Sequence, residues 1–466
     1  MTIETAFSDD IQIDSFPMVQ VLEFSMKHKQ NDHAYIICSG IISEENHESY
    51  MEKMGSSIPV DVTVSKQISE DERITFFAGQ VQDIQIHKRK GVYFLELEAT
   101  STTIIYDTQK KNRSFQQVGI DYDQLLKDVI SPYPKAHVIN TLAQGEKMNQ
   151  FLVQYEETTW EFMKRLATRM GGSLVAHVQQ AKPWFFFGLP NIPSQDELIV
   201  HDYDVYHDFI GYERLVKNTN LQISAKEYSN YVVESRQFHY LGDRVIFEGE
   251  KQQIIDVKRE LTDGVLLNTY VLGNVQVTTN HPIINQNFRG LSLSGVVRAV
   301  RGDQVQIQLD IDEKEKSGYW FTYSTSHSSE NNIGIYFMPD VGDGVRVYFP
   351  TTNEREAYAI SAVRDENESE LDPDIKMLKH ASGAVIMIAP KAITIIHGNS
   401  SIVLDESSGI TIQSDGSITI SGKQNINIKG HQILMDAAEQ IKLSVNHNSV
   451  TIDGAIVLSG TDVKMN

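Results

Sequence analysis

After about residue 380 the chain becomes a repeat, and that repeat limits what the chain can fold into more than any other feature. Pairs of apolar residues separated by one polar residue recur at Ile393/Ile395, Ile402/Leu404, Ile410/Ile412, Ile418/Ile420, Ile426/Ile428, Ile433/Met435, Ile441/Leu443, Val450/Ile452, Ile456/Leu458 and Val463/Met465. From Ile402 to Ile426 the spacing is a strict eight. A helix cannot carry this period, because eight residues at about 100° each overshoot two turns by roughly 80° and no apolar stripe persists. The pattern predicts very short strands, with each apolar pair on one side and Thr394, Thr411, Thr419 and Asn427 on the other. Gly398, Gly409, Gly416, Gly422 and Gly430 fall between pairs, where the chain is expected to turn.

One such strand per eight residues cannot enclose a core on a single chain. Several chains wound about one axis can, each supplying one wall, with Ile, Leu and Val filling a dry interior. The repeat therefore predicts a C-terminal intertwined trimeric β-helix, residues 380–466, with a triangular prism cross-section. At ~4.8 Å per stacked strand, its repeats would extend on the order of 50 Å. An ordinary sandwich or a single-chain solenoid fits less well, since globular strands run about 5–6 residues and rarely keep an octad.

The rest of the chain reads mainly as β. In residues 1–104, segments such as VQVLEFSM, SIPVDVTVS and GVYFLELEATS alternate at period 2, as an antiparallel barrel or sandwich does. Residues 105–195 hold a small α/β part. Here Thr158 and Glu161 make a capping-box pattern, and Phe162, Met163, Leu166 and Met170 share a helix face before Gly171-Gly172. A second short helix is expected at DYDQLLKDVI, before Ser131-Pro132. Residues 196–287 return to strands, as in ERLVKNTNLQISA, SNYVVESRQFHYL and GVLLNTYVLGNVQVTT, and form a second β domain. In residues 288–364, two strands joined by Arg301-Gly302-Asp303 and further short strands suit a small closed barrel such as an OB-fold. The run DENESELDPD, with six carboxylates, marks an acidic linker over 365–379.

Charge excludes some partners. With 41 Lys+Arg against 62 Asp+Glu the formal charge is −21, which argues against nucleic acid or an anionic lipid surface. Residues 380–466 hold seven carboxylates and five lysines, so the repeat is nearly neutral and the acidity lies upstream. Apolar runs such as Ala384 to Ala389 are far shorter than the roughly 20 residues of a membrane span, and the N-terminus shows no signal-peptide pattern. The single cysteine, Cys38, sits in AYIICSGII and is expected to be buried and inert.

Three local segments, in this order of parts, resemble the spike proteins of contractile injection machines: VgrG of type VI secretion and the hub-spike proteins of contractile phage tails and tailocins. YDTQKKNRSFQ resembles the family's Arg-Thr/Ser-Phe-Gln stretch through Arg113, Ser114, Phe115 and Gln116. QYEETTWEFMKRLATRMGG is similar to its Gln-Tyr-x-Glu-Thr helix through Gln154, Tyr155, Phe162, Arg165, Leu166 and Gly171. FMPDVGDGVRVYFPTTNEREAYAISAV resembles its OB-fold closing strands through Pro339, Gly342, Asp343, Val345, Val347 and Phe349, although Asp340 and Gly344 replace a common arginine and glutamate. The resemblance implies a hub of two β-barrel domains per chain, a homotrimer forming a pseudo-sixfold ring, and a hexameric inner-tube protein stacked on it. It further implies baseplate partners, possible effector cargo, and a conical tip protein of the proline-alanine-alanine-arginine (PAAR) repeat type docking on Val463 and Met465. Such a spike is assembled in the cytoplasm and ejected on firing. Type VI, tailocin, phage and extracellular particle all stay open as the system.

Enzyme readings are weaker, and the expectation is no catalytic residue, no metal and no cofactor. Between the OB-like strands, ending near Val363, and the first needle strand near Val385 there is no room for a muramidase, which needs two positioned carboxylates in a cleft of its own. GSITISGKQ has five residues between its glycines and Gln424 in place of the magnesium-binding Ser/Thr, so it is no phosphate loop. HDYDVYHDF groups His201, Asp202, Asp204, His207 and Asp208 without a metal-binding spacing. GLSLSG lacks the glycine that a nucleophile elbow needs after Ser292. The aromatic run Trp184 to Phe187 reads as core or interface. The competing class is a trimeric fibre or adhesin carrying a receptor site.

Overall fold

The computed structural model describes residues 6–55, 59–69, 72–190, 197–200, 202–218, 224–226, 228–274, 282–314, 318–325, 328–329, 333–334, 336–361 and 372–452. The chain divides into two compact units, Met1–Arg364 and Asp365–Asn466. His201, Val463 and Met465 lie outside the described residues.

In the first unit the two β segments read separately from sequence share one twelve-stranded sheet. They join where Glu250–Thr262 pairs antiparallel with Gln20–Lys29, with Val257 opposite His28 and Arg259 opposite Met26. Each strand would otherwise leave an open edge, so the pairing removes two at once. Tyr35–Ile42, Val92–Ser101, Arg73–Arg89, Asp61–Gln67 and Ile11–Ile13 follow on one side. Val265–Asn274, Asn230–Ser235 and Tyr203–Tyr206 follow on the other. Phe24, Met26, Ile36, Cys38, Phe76, Phe77, Leu95 and Leu97 form the core under the first half. Cys38 is fully buried there, and burial pushes its thiol up to about 12.

Four α-helices stand among the described residues of this unit: α1 (Glu44–Met54), α2 (Tyr122–Ile130), α3 (Thr159–Arg169) and α4 (Phe209–Asn218). The expected capping box of α3 forms: Glu161 N–H donates to Thr158 Oγ1 at 3.1 Å and Thr158 N–H to Glu161 Oε2 at 2.8 Å. Helix α4 corrects the sequence reading, which placed ERLVKN in a strand. The Asp208 carboxylate accepts from Gly211 N–H at the helix start, and Lys217 reaches Glu213 one turn back at 2.8 Å. Helices α2 and α3 pack with Phe185 and Phe187 of strand Trp184–Phe187 into a second core, which holds the α/β insert together.

His28 makes the large sheet acid-sensitive. It is 3% exposed, and burial, with the Arg259 guanidinium beside it, pushes its imidazole down to about 3. The unfolded chain takes up that proton near pH 6.5, so between about 6.5 and 3 the unfolded state binds more protons, and stability present above that window is lost as pH falls. A loss of about 2–3 kcal/mol at pH 4.5 is expected from this residue. Urea midpoints between pH 7 and 4.5 measure it; His28→Asn should flatten the acid limb, and a pH-independent midpoint in the parent chain would contradict a buried neutral His28.

The expected barrel is present. Ser292–Arg301 and Gln304–Leu309 form the predicted hairpin, with Gly302 at φ 58° in its turn. The five-stranded sheet runs Trp320–Thr322, Gln304–Leu309, Ser292–Arg301, Gly344–Tyr348, Tyr358–Ser361, and it closes on itself because Tyr323 bridges Ala359.

The second unit begins earlier than expected, since Lys376–Lys379, read as linker, is the first strand of a five-stranded antiparallel sheet. Val385–Ala389, Ala392–His397, Ser400–Asp405 and Gly409–Gln413 follow in order, and Ile441–Val445 pairs with Asn448–Ile452 farther on. Between Ser414 and Gln440 no strand forms, so the strands expected at Ile418/Ile420, Ile426/Ile428 and Ile433/Met435 are absent in a single copy. The glycines differ between the two stretches: Gly398 and Gly409 take positive φ (58° and 85°) beside chain reversals, whereas Gly416, Gly422 and Gly430 do not take positive φ.

Candidate functional site

Two places concentrate chemistry: a buried joint between the α/β insert and the barrel in the first unit, and an uncovered apolar face in the second.

The joint starts at a bulge. Strands Leu152–Thr158 and Lys110–Phe115 pair with a register shift between Gln154 and Glu157, and Glu156 takes φ 50° there. Asn112 holds the bulge, accepting from Glu156 N–H at 2.7 Å and donating to its carboxylate at 3.0 Å. The extra residue re-aims the next side chain, and Glu157 becomes 5% exposed. Arg165 of α3, fully buried, donates to both Glu157 carboxylate oxygens, to Val153 O at 2.8 Å and to Glu354 Oε1 at 2.7 Å. Glu354, on the short turn Glu354–Glu356 of the barrel, is 1% exposed and also pairs with Arg169. Two arginines and two carboxylates thus balance inside the protein, with the Arg165 guanidinium resting over Phe288 at 4.9 Å. Burial works against the charge on Arg165, and Glu354 and Glu157 more than offset it, so its pKa is raised. Burial pushes the Glu157 carboxyl up, against the pull of Arg165.

A second polar contact lies nearby. The Asp312 carboxylate accepts from Ser114 N–H at 2.7 Å and from its hydroxyl at 2.5 Å, and Gln116 Nε2 donates to Ile307 O at 3.1 Å. Phe151 and Val153 of the insert belong to the same core as Phe288, Val297, Phe321 and Phe349 of the barrel.

The residues singled out by the family resemblance meet around this joint. Arg113 donates to Gln154 Oε1 at 2.8 Å and to Val129 O at 3.1 Å. Phe115 stacks on Phe162 at 5.3 Å. Leu166 sits in the insert core, and Tyr155 packs against the barrel core while its carbonyl accepts from Asn285 Nδ2. Sequence reasoning carried Glu157 only as the glutamate of the Gln-Tyr-x-Glu-Thr motif, and missed Asp312, Arg169 and Glu354. The only available signal was a motif arginine on a buried helix face, which calls for an acidic partner without naming it.

In the second unit the ladder register lines up two apolar rows across the sheet. Ile386, Ile395, Ile402 and Ile412 stand opposite one another in turn, and so do Ile388, Ile393, Leu404 and Ile410. All eight are between 39% and 70% exposed. Thr394 lies on the other face, between Met387 and Val403, and is buried. The alternation read from sequence is therefore present, but in one copy nothing among the described residues covers the isoleucine side. Ile418, Ile420, Ile426 and Ile428, in the strandless stretch, are 51–71% exposed.

The enzyme-like clusters are structural where described. His207 Nδ1 lies 3.0 Å from Ser229 Oγ and Asp208 caps α4; no group of three His, Cys, Asp or Glu among the described residues could hold a metal. His33 contacts Thr103 Oγ1 at 2.8 Å and Asp107 at 3.4 Å, which has the makings of a hydrolytic triad. Thr103 is fully buried, so its hydroxyl is not presented to a substrate. No helix among the described residues is long and apolar enough to cross a membrane.

No family model matches the chain, and no curated protein matches it. Solved structures do. An E. coli protein, c3393, described as a component of the type VI secretion system with structural similarity to the T4 bacteriophage tail proteins gp27 and gp5, aligns at TM-score 0.51 and 12% identity over 75% of this chain and 98% of its own. A chain of the half-lidded Francisella PdpA-VgrG complex aligns at TM-score 0.55 and 10% identity over 88% of each chain. At such identities the likeness is one of fold, and that fold is the one of VgrG-like tail hub proteins.

Proposed function

We propose that this chain is the structural spike of a contractile injection system: three copies share one needle, their hubs cap the inner tube, and sheath contraction drives the needle through a target envelope. The observation that carries the reading is the pair of uncovered isoleucine rows, continued by octads from Ser414 to Gln440 that find no strand partner in one copy. Contiguous exposed apolar surface marks an interaction site, and neighbouring chains would supply both its cover and the strand partners that the later octads lack. The near-neutral composition of the repeat suits a rod that passes a membrane.

In this reading Ile393, Ile395, Ile402, Leu404, Ile410, Ile412, Ile418, Ile420, Ile426 and Ile428 fill the trimer core. Val463 and Met465 receive a conical PAAR-type tip, a hexameric tube protein stacks on the hub, and baseplate proteins surround it. The Francisella PdpA-VgrG complex, in which a VgrG is partnered, supports a role in assembly with other proteins and leaves room for a carried effector. The spike acts without catalysis, is assembled in the cytoplasm and leaves with the injection particle. Electron microscopy of the purified full chain tests the reading: a threefold hub bearing a rod on the order of 50 Å long is expected, and a compact single-copy particle would contradict it. Turnover of peptidoglycan by the intact chain would overturn the non-enzymatic assignment.

A further inference from the structure

Among the described residues, one fully buried cation of the large sheet has no carboxylate partner. Arg259, on Glu250–Thr262, is 1% exposed. Its two terminal nitrogens donate to the Asn268 side chain, to Tyr270 Oη at 3.3 Å and to the His239 carbonyl at 2.6 Å, and its plane lies over Phe238 at 4.6 Å. None of these partners carries a charge, and Arg259 Nε is buried without a hydrogen-bond partner among the described residues. Val257 stands opposite His28 and Arg259 opposite Met26. Alternate residues of a strand share a face, so Arg259 and His28 are diagonal neighbours on the buried side. His28 Nε2 is likewise buried and unpartnered, and so is Nδ1 of His177, whose charge would act on His28 from the insert. The other ionisable groups around the spot are Tyr270, opposite Val257, His239 with Asp243 at 3.8 Å, and Lys66 over the Phe238 ring. A buried charge calls for a counter-charge, and three orphaned polar atoms on neighbouring side chains call for a common ligand.

We propose that Arg259, His28 and His177 form a buried receptor for one small monovalent anion, of halide size, which enters together with a proton. The His28 ring bonds the Ala176 backbone, and that contact favours the protonated ring. A carbonyl acceptor has this effect, so the other ring nitrogen donates there and Nε2 carries the lone pair while the ring is neutral. A lone pair repels an anion and suits a water, which can donate to Nε2 and accept from Arg259 Nε. Protonated, Nε2 becomes a second donor beside the guanidinium. Protonation alone would set two cations side by side in the core, and burial together with Arg259 is what holds the His28 imidazole down at about 3. A proton and an anion entering as a pair leave the charge of the three side chains and their ligand unchanged, so each assists the other. Phe76, Phe238 and Tyr270 lie around the guanidinium. Transfer into such surroundings costs a divalent oxyanion far more than a halide, because the penalty grows with the square of the charge.

The test unfolds the full chain in urea at pH 7 and pH 4.5, in sodium bromide and in sodium sulfate of equal ionic strength; taking the difference between the two pH values removes any general salt effect. The acid loss of midpoint seen in sulfate should shrink by about half or more in bromide, and His28→Asn should erase the contrast between the salts. An equal acid loss in both salts, or a contrast that persists in His28→Asn, would overturn the proposal. Anomalous diffraction from crystals of the parent chain in bromide gives an independent reading: a peak in contact with His28 Nε2 and Arg259 Nε is expected at pH 4.5 and not at pH 8. Bromide found only at the surface would overturn the buried site, and bromide in the core equally at both pH values would overturn its coupling to a proton.

Discussion

Glu354→Ala is expected to lower the unfolding free energy of the first unit by about 3–5 kcal/mol, the cost of leaving a buried charge without its partner. The reason lies in the count of charges at the joint. Glu354 serves two arginines, one of them fully buried, so its removal leaves Arg165 with Glu157 only and takes from Arg169 its ion-pair partner. Glu356→Ala supplies the control. It removes a carboxylate from the same turn, but an exposed one hydrogen-bonded to Thr351 and Asn353, and a change within about 0.5 kcal/mol is expected. Urea midpoints by tryptophan fluorescence read both, because Trp160 sits in the insert core and Trp320 in the barrel. Equal midpoints for the two variants would mean that the joint is held by its apolar core alone.

Ile418→Asp is expected to abolish assembly, while Thr419→Asp is tolerated. In one copy both side chains meet solvent, Ile418 being 53% exposed, so neither carboxylate would strain the isolated chain. In a three-chain needle the two positions part company: three carboxylates at 418 would share one dry layer, with a cost of several kcal/mol per uncompensated charge, and three at 419 would face water. Size-exclusion profiles of the two variants give the comparison. Identical profiles would remove the inside-outside assignment.

What was legible in the sequence was what local chemistry determines. The capping box at Thr158 and Glu161, the Arg301-Gly302-Asp303 hairpin and the alternation of Ile393, Thr394 and Ile395 each need only a few neighbouring residues to specify them. Helix α1 carried little signal, because Tyr50 is its only buried side chain, and the end of α4 was read as a strand within ERLVKNTNLQISA. The joint was illegible for another reason. Arg165 and Glu354 are 189 residues apart, and no periodicity connects them. The merged sheet is similar, since Gln20–Lys29 and Glu250–Thr262 each read as an ordinary strand and only tertiary packing selects the pair. Glycine spacing misled in the repeat: the same residue type takes positive φ at Gly398 and Gly409 but not at Gly416, Gly422 and Gly430, where no ladder forms.

Static light scattering of the purified full chain tests the central claim most directly, because every functional statement above depends on chains sharing one needle. Three times the 52.7 kDa chain mass is the predicted result, persisting on dilution and in SDS without heating. A stable 52.7 kDa monomer would contradict it.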